Sequence, residues 1–183
     1  MINREEKIEQ MLQGFVRAFC EYGLDKTTTK KLAHEMNMNE ALLYTYFKNK
    51  DDIICKCTHY HYTNVMTVVI NTMIDADLEQ RATADKLIHY LDSVIDIWRF
   101  LIQVVSHPKY SQYMEETNAQ VYFQFKRYAE HLSVFFDLEE EAAQAVSLFC
   151  SSIILDYIVN RNKAYFYTQF RFLEQYVKHK QLV

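Results

Sequence analysis

Hydroxyl and ammonium side chains are concentrated between residues 28 and 50 of this 183-residue chain. Residues 26–50 carry five lysines against two glutamates, whereas the whole chain has a formal net charge of -4. Hydroxyl and ammonium groups are side-chain donors that commonly contact the phosphates of nucleic acid. The segment is therefore compatible with a nucleic-acid-binding surface, although a weakly basic charge does not by itself establish one.

Two cysteine–histidine pairs have the four-residue spacing at which two ligands on one helix face chelate a metal ion. They are Cys55 with His59 and Cys57 with His61. The two pairs point in different directions and a third ligand is not evident, so we predict no metal site. His34 and Glu35 begin the zinc-protease pattern H-E-x-x-H, but residue 38 is a methionine and the pattern fails. Because the chain has only two glycines, no glycine-rich phosphate loop can be written, and we predict no enzyme and no cofactor.

The scarcity of glycine and proline favours an all-α fold. The chain has two glycines and one proline, whereas the tight turns of β-sandwiches and barrels depend on both. Apolar residues recur at helical spacing, and no segment shows a convincing strand alternation. We predict nine helices, near residues 3–22, 28–36, 40–47, 50–75, 83–105, 108–115, 118–136, 138–161 and 163–180.

The sequence predicts a cytoplasmic protein that does not associate with a membrane. Its first residues are charged and lack the apolar stretch of a signal peptide. The most apolar stretch, residues 142–159, is interrupted by polar side chains, so we expect a buried helix there. The four cysteines have no disulfide-framework spacing and are expected to be reduced.

The basic segment also has the pattern of a helix-turn-helix. Thr28 can cap a first short helix, Asn37 can adopt the left-handed conformation of a tight turn, and Asn39 can cap the second helix. Leu43 and Phe47 would face inward, which leaves the outer face of the second helix free. A free helix of this kind fits the major groove, with its first residues nearest to the bases.

We predict DNA contacts on this second helix and on both sides of it. Glu40, Ala41, Leu42 and Thr45 are the groove-facing candidates, and the hydroxyl and lysine side chains around them would contact phosphates. Glu40 could accept a hydrogen bond from a cytosine amino group or simply repel a phosphate, and the sequence leaves both open. The predicted DNA-binding residues are Thr28, Thr29, Lys30, Asn39, Glu40, Ala41, Leu42, Tyr44, Thr45, Tyr46, Lys48 and Lys50.

This segment resembles the TetR family of bacterial transcriptional regulators. The resemblance rests on Gly23, on residues 28–33 (TTKKLA), and on residues 43–50 (LYTYFKNK) with Ile53 following. The turn at residues 36–39 reads Met-Asn-Met-Asn where the family usually has Ala-Gly-Val-Ser. Each substitution keeps the physical role of its position: apolar, tolerant of the left-handed region, apolar, and helix-capping.

The resemblance, which covers about residues 5–55, implies a nine-helix homodimer. It implies an N-terminal helix-turn-helix DNA-binding domain, residues 1–48, and a helical ligand-binding and dimerisation domain, residues 49–183. Helices from about 60 to 136 would enclose an effector pocket, although aromatic stripes at helical spacing are core in most proteins. The predicted lining residues are Tyr62, Met66, Tyr90, Ile95, Trp98, Tyr122, Phe125 and Phe135.

The last two predicted helices favour a dimer interface. Small residues at four-residue intervals let another helix approach closely, and the last helix is apolar on two faces and needs two partners. The second partner is expected to be the same helix pair in another subunit, although both faces could pack within one subunit. Tyr165, Phe172 and Tyr176 form the second apolar stripe of the last helix. The predicted interface residues are Ala143, Ser147, Ser151, Phe166, Phe170, Leu173 and Val177.

The sequence therefore predicts a ligand-responsive DNA-binding transcriptional regulator. In its simplest form it is a homodimeric repressor that a small-molecule effector releases from a palindromic operator on double-stranded DNA. Two alternatives stay open. One is an all-helical ligand-binding or scaffold protein whose DNA-binding role is secondary. The other is a helical-bundle metalloenzyme, which would contain stoichiometric metal.

Overall fold

The computed structural model describes residues 3–74 and 80–180, which form nine α-helices and no β-strand. The predicted all-α class is confirmed. The helices are α1 (Arg4–Tyr22), α2 (Thr29–Glu35), α3 (Glu40–Leu43), α4 (Lys50–Ile74), α5 (Gln80–Ser93), α6 (Ile95–Ser106), α7 (Ser111–Phe136), α8 (Glu140–Asn160) and α9 (Lys163–Lys180).

The first helix begins and ends where its sequence signals predict. The Asn3 side chain accepts a hydrogen bond from the Glu6 amide at 2.8 Å, and the Glu6 carboxylate accepts one from the Asn3 amide at 3.1 Å. This reciprocal pair is a capping box, which the spacing of Asn3 and Glu6 in the sequence predicts, and it satisfies two amides that the helix itself cannot. At the other end, Gly23 has a φ of 78°, in the region that favours glycine.

Several helix boundaries differ from the prediction. The predicted helix over 83–105 is two helices, α5 and α6, because the chain leaves the helical pattern at Val94. Just before the break, the Ser93 hydroxyl donates to the Tyr90 carbonyl at 2.7 Å, a local bond that competes with the helix ladder. The predicted helix over 40–47 ends at Leu43, because Thr45 and Tyr46 bond to carbonyls three residues back rather than four.

The predicted helices 108–115 and 118–136 are one continuous helix, α7. The spacing of Thr117 and Gln120 is that of a capping box, which predicts a helix start at this point. The Thr117 hydroxyl instead donates to the Tyr113 carbonyl at 2.6 Å, a bond that a threonine makes inside a helix. Pro108 lies in a turn before α7 rather than in a first helical turn, and α8 begins after Glu139 without a side-chain cap.

The described chain divides into two compact units. The first unit contains the residues up to Val65 and Asp96–Ala119. In its core, Phe15 meets Phe47 edge to face at 5.6 Å between ring centroids, and Phe19 stacks on Phe100 at 5.4 Å. Such aromatic pairs add to the free energy gained by burying apolar area.

The second unit contains Met66–Ile95 and the residues from Gln120 onward, and in it α9 packs against α8 and α5. Tyr157, which is buried, meets Phe166 edge to face at 5.2 Å between ring centroids. The predicted boundary between residues 48 and 49 separates a DNA-binding part from a ligand-binding part, and it differs from the boundary between the two compact units. This functional division stays a prediction.

Helix α8 is long and apolar enough to cross a membrane by length and composition alone. A core helix of a water-soluble protein passes the same test, and one such helix is weak support for a membrane span. Several of its side chains are buried inside the second unit: Ala143, Val146, Ser147, Cys150, Ile153, Ile154, Tyr157 and Ile158.

Candidate nucleic-acid interface

The turn between α2 and α3 has the geometry that the sequence predicts. Thr28 caps α2 by accepting a hydrogen bond from the Lys31 amide at 3.2 Å. Asn37 has a φ of 51°, in the left-handed region, and the following amide, of Met38, reaches back to the Ala33 carbonyl at 2.9 Å. Asn39 then caps α3 by accepting from the Leu42 amide at 2.7 Å. These local bonds hold the two helices in the helix-turn-helix arrangement.

Helix α3 is held from its inner side and open on its outer side. Leu43 and Phe47 are 0% and 2% exposed, as predicted, whereas Leu42 is 42% exposed. The Thr45 hydroxyl donates to the Leu42 carbonyl at 2.7 Å, so its hydrogen is used within the segment. The outer face therefore offers an exposed apolar side chain next to the first turn of a short helix, which suits contact with base edges in a groove.

Glu40, the first residue of α3, is bonded to two of the other predicted DNA-binding residues. Both the Thr29 hydroxyl and the Tyr44 hydroxyl donate to its Oε1 atom, the latter at 3.3 Å. The two hydroxyl oxygens lie 3.1 Å from each other. The sequence placed these three residues on one surface, and the structure brings them together in one closed group.

The cationic side chains around α3 differ in how free they are. Lys30 and Lys48 are exposed, but the Lys50 ammonium donates to the Leu24 and Asp25 carbonyls at 3.1 and 3.2 Å. Lys50 therefore ties the start of α4 to the loop before α2. Sequence reasoning missed Arg4, whose guanidinium donates to the Thr45 carbonyl at 3.0 Å, because its neighbour in space is 41 positions away.

The amides at the start of a helix attract anions, but the start of α4 is occupied by the chain's own carboxylates. Asp52 accepts from the Lys48 amide at 2.9 Å, and Asp51 accepts from the Lys109 ammonium at 2.7 Å and the Tyr110 hydroxyl at 3.0 Å. The hydrogen bond from Lys109 lowers the pKa of Asp51 against the opposing effect of burial. This carboxylate therefore stays charged where a phosphate would otherwise be attracted.

The predicted effector-pocket residues are divided between the two units. In the first unit, the Tyr62 hydroxyl donates to Asn118 at 2.7 Å, and Trp98 is buried. Within the described part of the chain, Trp98 Nε1 and Thr63 Oγ1 are buried without a hydrogen-bond partner. In the second unit, Met66 is buried and Tyr90, Ile95 and Phe125 are half-buried. The side chains of Tyr122 and Phe135 lie outside the described residues.

The predicted dimer residues lie on the inner faces of α8 and α9. Phe166, Phe170 and Leu173 are buried inside the second unit, because α9 packs these side chains against its neighbours α8 and α5. Ala143 and Ser147 are also buried, Ser151 is half-buried, and the side chain of Val177 lies outside the described residues. These positions are therefore occupied within the subunit.

A different set of apolar side chains is exposed on the same two helices, and we call it the outer stripe. Its members are Leu148, Leu155 and Val159 on α8, and Tyr165, Phe172 and Tyr176 on α9. The three α9 residues are the second stripe that the sequence analysis distinguished. A helix pair with a buried inner face and an apolar outer face has surface left for a further partner.

The cysteine–histidine pairs do not come together as ligands. His61 Nε2 lies 2.9 Å from the Leu12 carbonyl and the Cys57 thiol donates to the same oxygen at 3.8 Å. Burial lowers the pKa of His61 and raises that of Cys57 well above its usual value. Among residues 3–74 and 80–180, no group of three or more His, Cys, Asp and Glu side chains could hold a metal ion.

Comparison with known proteins places this segment in a family. Residues 12–55 match the family model described as bacterial regulatory proteins, tetR family. Over 92 residues, the chain is 20% identical to the uncharacterized HTH-type transcriptional regulator YuxN of Bacillus subtilis (strain 168), a match that covers 50% of this chain and 32% of the relative. The chain thus spans about a third of the length of this curated relative.

Two solved structures share the fold along most of the chain. A transcriptional regulator (TerR/AcrR family) from Aquifex aeolicus VF5 has a TM-score of 0.64 and 16% identity, over 90% of this chain and 95% of that one. AibR, in complex with isovaleryl coenzyme A and operator DNA, has a TM-score of 0.50 and 16% identity, over 85% and 86%. The solved structures show that the fold is shared along most of the chain, and the family match over residues 12–55 supports a TetR-family transcriptional regulator.

Proposed function

We propose that this TetR-family regulator is a ligand-responsive repressor that binds a palindromic operator as a homodimer. The observation that carries the proposal is the α2–turn–α3 segment, in which Thr28 caps α2, Asn39 caps α3 and the outer face of α3 is open. A short, locally braced helix with a free face fits the major groove.

The proposed DNA contacts combine base edges and phosphates. Ala41 and Leu42 are exposed on α3, where apolar side chains can contact the methyl group of thymine. Lys30 and Lys48 are exposed on either side and suit phosphate oxygens. Arg4 adds a cation beside the Thr45 carbonyl that the sequence analysis did not include.

The proposed homodimer uses the outer stripe. Leu155 is 55% exposed and Phe172 is 61% exposed, and large apolar side chains aligned on neighbouring helices mark an interaction surface. Two copies of the α8–α9 pair would form a four-helix interface with two-fold symmetry. That symmetry matches a palindromic operator, because each subunit then meets one half-site.

The proposed effector is a small molecule that contacts the first unit at α4 and α6. Buried polar atoms normally have a partner, and the unpartnered Trp98 Nε1 and Thr63 Oγ1 could receive one from a ligand. Thr63 lies on the helix whose first residue, Lys50, is bonded to the loop before α2. AibR, which has a similar fold, is known in complex with a coenzyme A ester and operator DNA.

Selection of genomic DNA fragments by the purified protein at physiological salt tests the DNA-binding part. We expect enrichment of a palindrome whose half-sites lie about one helical turn, or a multiple of it, apart. Leu42→Asp should weaken binding to that site by about tenfold or more, since it puts a charge against the bases. Ile102→Asp is the matched control, because Ile102 is 45% exposed on α6, and should bind like the wild type.

Failure to enrich any sequence would contradict the DNA-binding part and favour a ligand-binding or scaffold role.

The effector part is tested by fluorescence, because Trp98 is the single tryptophan of the chain. Small molecules that change the fluorescence emission of Trp98 should also release the selected DNA from the protein. If every such molecule leaves the DNA complex intact, the proposed release mechanism is contradicted.

A further inference from the structure

We infer that Glu40 is the residue of α3 that selects a base, and that Thr29 and Tyr44 hold its carboxylate in place for that purpose. The inference rests on the proposed DNA binding and deepens it by assigning one reading atom. The sequence alone leaves a carboxylate on this surface unexplained, because it would either accept from a base or repel a phosphate.

The carboxylate is fixed from two directions. Thr29 lies at the start of α2 and Tyr44 directly after α3, and both hydroxyl groups donate to the same oxygen, Oε1 of Glu40. Their own oxygens are 3.1 Å apart, which closes the triangle. A glutamate on an open surface samples many rotamers and loses that freedom when it binds. A glutamate that is already held by two hydrogen bonds has lost its rotamer freedom before it binds. Its contact with a base therefore costs less entropy, and it is stronger and more selective.

The hydrogen bonds among Glu40, Thr29 and Tyr44 determine which of their polar atoms are still available to DNA. The hydroxyl hydrogens of Thr29 and Tyr44 are directed at Oε1, so neither hydroxyl is set up to donate to a phosphate. The other carboxylate oxygen, Oε2, accepts no hydrogen bond from the residues that the structure describes. Glu40, which is half-buried, thus keeps one acceptor without a donor at the first turn of α3, the helix proposed to enter the groove.

An acceptor in that place discriminates between bases by their major-groove edges. Cytosine and adenine present amino groups there, whereas guanine presents only the acceptors O6 and N7. Glutamate therefore favours an amino group, and cytosine is the base whose N4 it most often contacts. We expect one base pair in each half-site to be selected as cytosine through Oε2.

Replacement of each base pair of the selected half-site, followed by binding measurements, tests this. The wild type should prefer cytosine at one position by about fivefold or more over guanine. Glu40→Gln keeps an oxygen for the two hydroxyls but replaces Oε2 with an amide that donates. The preference at that position should then move to a purine, which offers the acceptor N7. Glu9→Gln removes the same charge from the exposed face of α1 and should leave the preference unchanged.

Thr29→Val tests the brace separately, because valine has the shape of threonine without its hydroxyl. The preferred base should stay the same while the preference falls by about half or more, and the melting temperature should confirm that the variant is folded. An unchanged base profile in Glu40→Gln would overturn the reading role, and undiminished selectivity in Thr29→Val would overturn the brace. If the wild type itself shows no preference at any base pair, it is the proposed DNA-binding function that fails.

Discussion

The α2–α3 surface and the outer stripe of α8–α9 expose opposite kinds of side chain. On the first, the polar groups are tied to one another, as Glu40 is to Thr29 and Tyr44, and lysines surround them. On the second, large apolar side chains such as Leu155 and Phe172 face outward. A surface of the first kind suits a charged partner that is bound and released, whereas one of the second kind suits a partner that excludes water and stays.

The largest expected effect separates the buried inner face of α9 from an exposed apolar position elsewhere in the chain. Phe170 is 5% exposed, so Phe170→Ala should lower the free energy of unfolding by about 3–5 kcal/mol, because it leaves a cavity in the second unit. Urea unfolding followed by circular dichroism measures this. Val105→Ala, at a site 54% exposed, should change it by less than about 0.5 kcal/mol. Equal changes in unfolding free energy for the two variants would mean that Phe170 is not part of the hydrophobic core.

Disruption of the outer stripe should leave the fold intact and remove the dimer. We expect the double substitution Leu155→Glu and Phe172→Glu to give a folded monomer by light scattering. Operator binding should then weaken by about 100-fold or more, because the two half-sites are no longer bound by one linked molecule. The control is Val105→Glu, at a residue as exposed as Leu155. A dimer that persists in the double variant would move the interface elsewhere.

A smaller effect concerns the acid that holds α5 to the end of α8. Asp92 accepts from the Tyr157 hydroxyl at 2.7 Å and from Arg161 at 2.6 Å. Burial raises the pKa of Asp92, but the hydrogen bonds from Tyr157 and Lys163 and the charge of Arg161 outweigh it, so the pKa lies below its usual value of 3.8. At pH 7, Asp92→Asn should cost about 1–2 kcal/mol of unfolding free energy.

The pH dependence of that cost has a definite sign. A lowered pKa in the folded state means that the stabilisation is present above the usual value of 3.8 and is lost as the pH falls through the lowered one. The difference between Asp92→Asn and the wild type should therefore shrink in acid. Asp96→Asn, at an exposed ion pair with Arg99, should cost less than about 0.5 kcal/mol at any pH. If the difference in unfolding free energy between Asp92→Asn and the wild type stays constant from pH 7 into acid, the charge of Asp92 is not the source of the stabilisation.

The smallest expected effect distinguishes two lysines of the α2–α3 surface. Lys30 is exposed, so Lys30→Ala should weaken binding to all DNA sequences and reduce the slope of log affinity against log salt by about 1. The Lys50 ammonium already bonds two carbonyls, so Lys50→Ala should change the slope less and lower the melting temperature more. DNA titrations at several salt concentrations measure the slope for each variant. Identical slopes for Lys30→Ala and Lys50→Ala would contradict the different roles of the two lysines.

The helix-turn-helix segment and the helix before it could be predicted from sequence because their determinants are local. The caps at Asn3, Thr28 and Asn39 bond to amides three residues away, and the left-handed Asn37 lies between two short helices. A window of a few residues contains all of the interacting groups. The all-α class followed for the same reason, because helical periodicity and turn-forming residues are read over short distances.

Other features depend on partners that are far apart in the sequence. Asp51 bonds to Lys109, 58 positions away, and Asp92 bonds to Tyr157, 65 positions away. Both apolar stripes of α9 looked alike, because periodicity shows that a face is apolar but not which neighbour covers it. The prediction therefore assigned to a second subunit the face on which Phe166 and Phe170 are buried. The triangle around Glu40 was missed because it joins two helices through a turn.

The surroundings of the four cysteines, of which Cys57 and Cys150 are buried and Cys20 and Cys55 half-buried, make the chain convenient for distance measurements. Burial raises the pKa of Cys20 to about 11 and that of Cys150 to about 12, and it raises those of Cys55 and Cys57 as well. Thiol reagents attack the thiolate, so these four react slowly near neutral pH. A cysteine introduced at the exposed Lys48 would accept a spin label ahead of them. The native cysteines could stay in place while the spacing between the two α3 helices of the proposed dimer is followed with and without an effector.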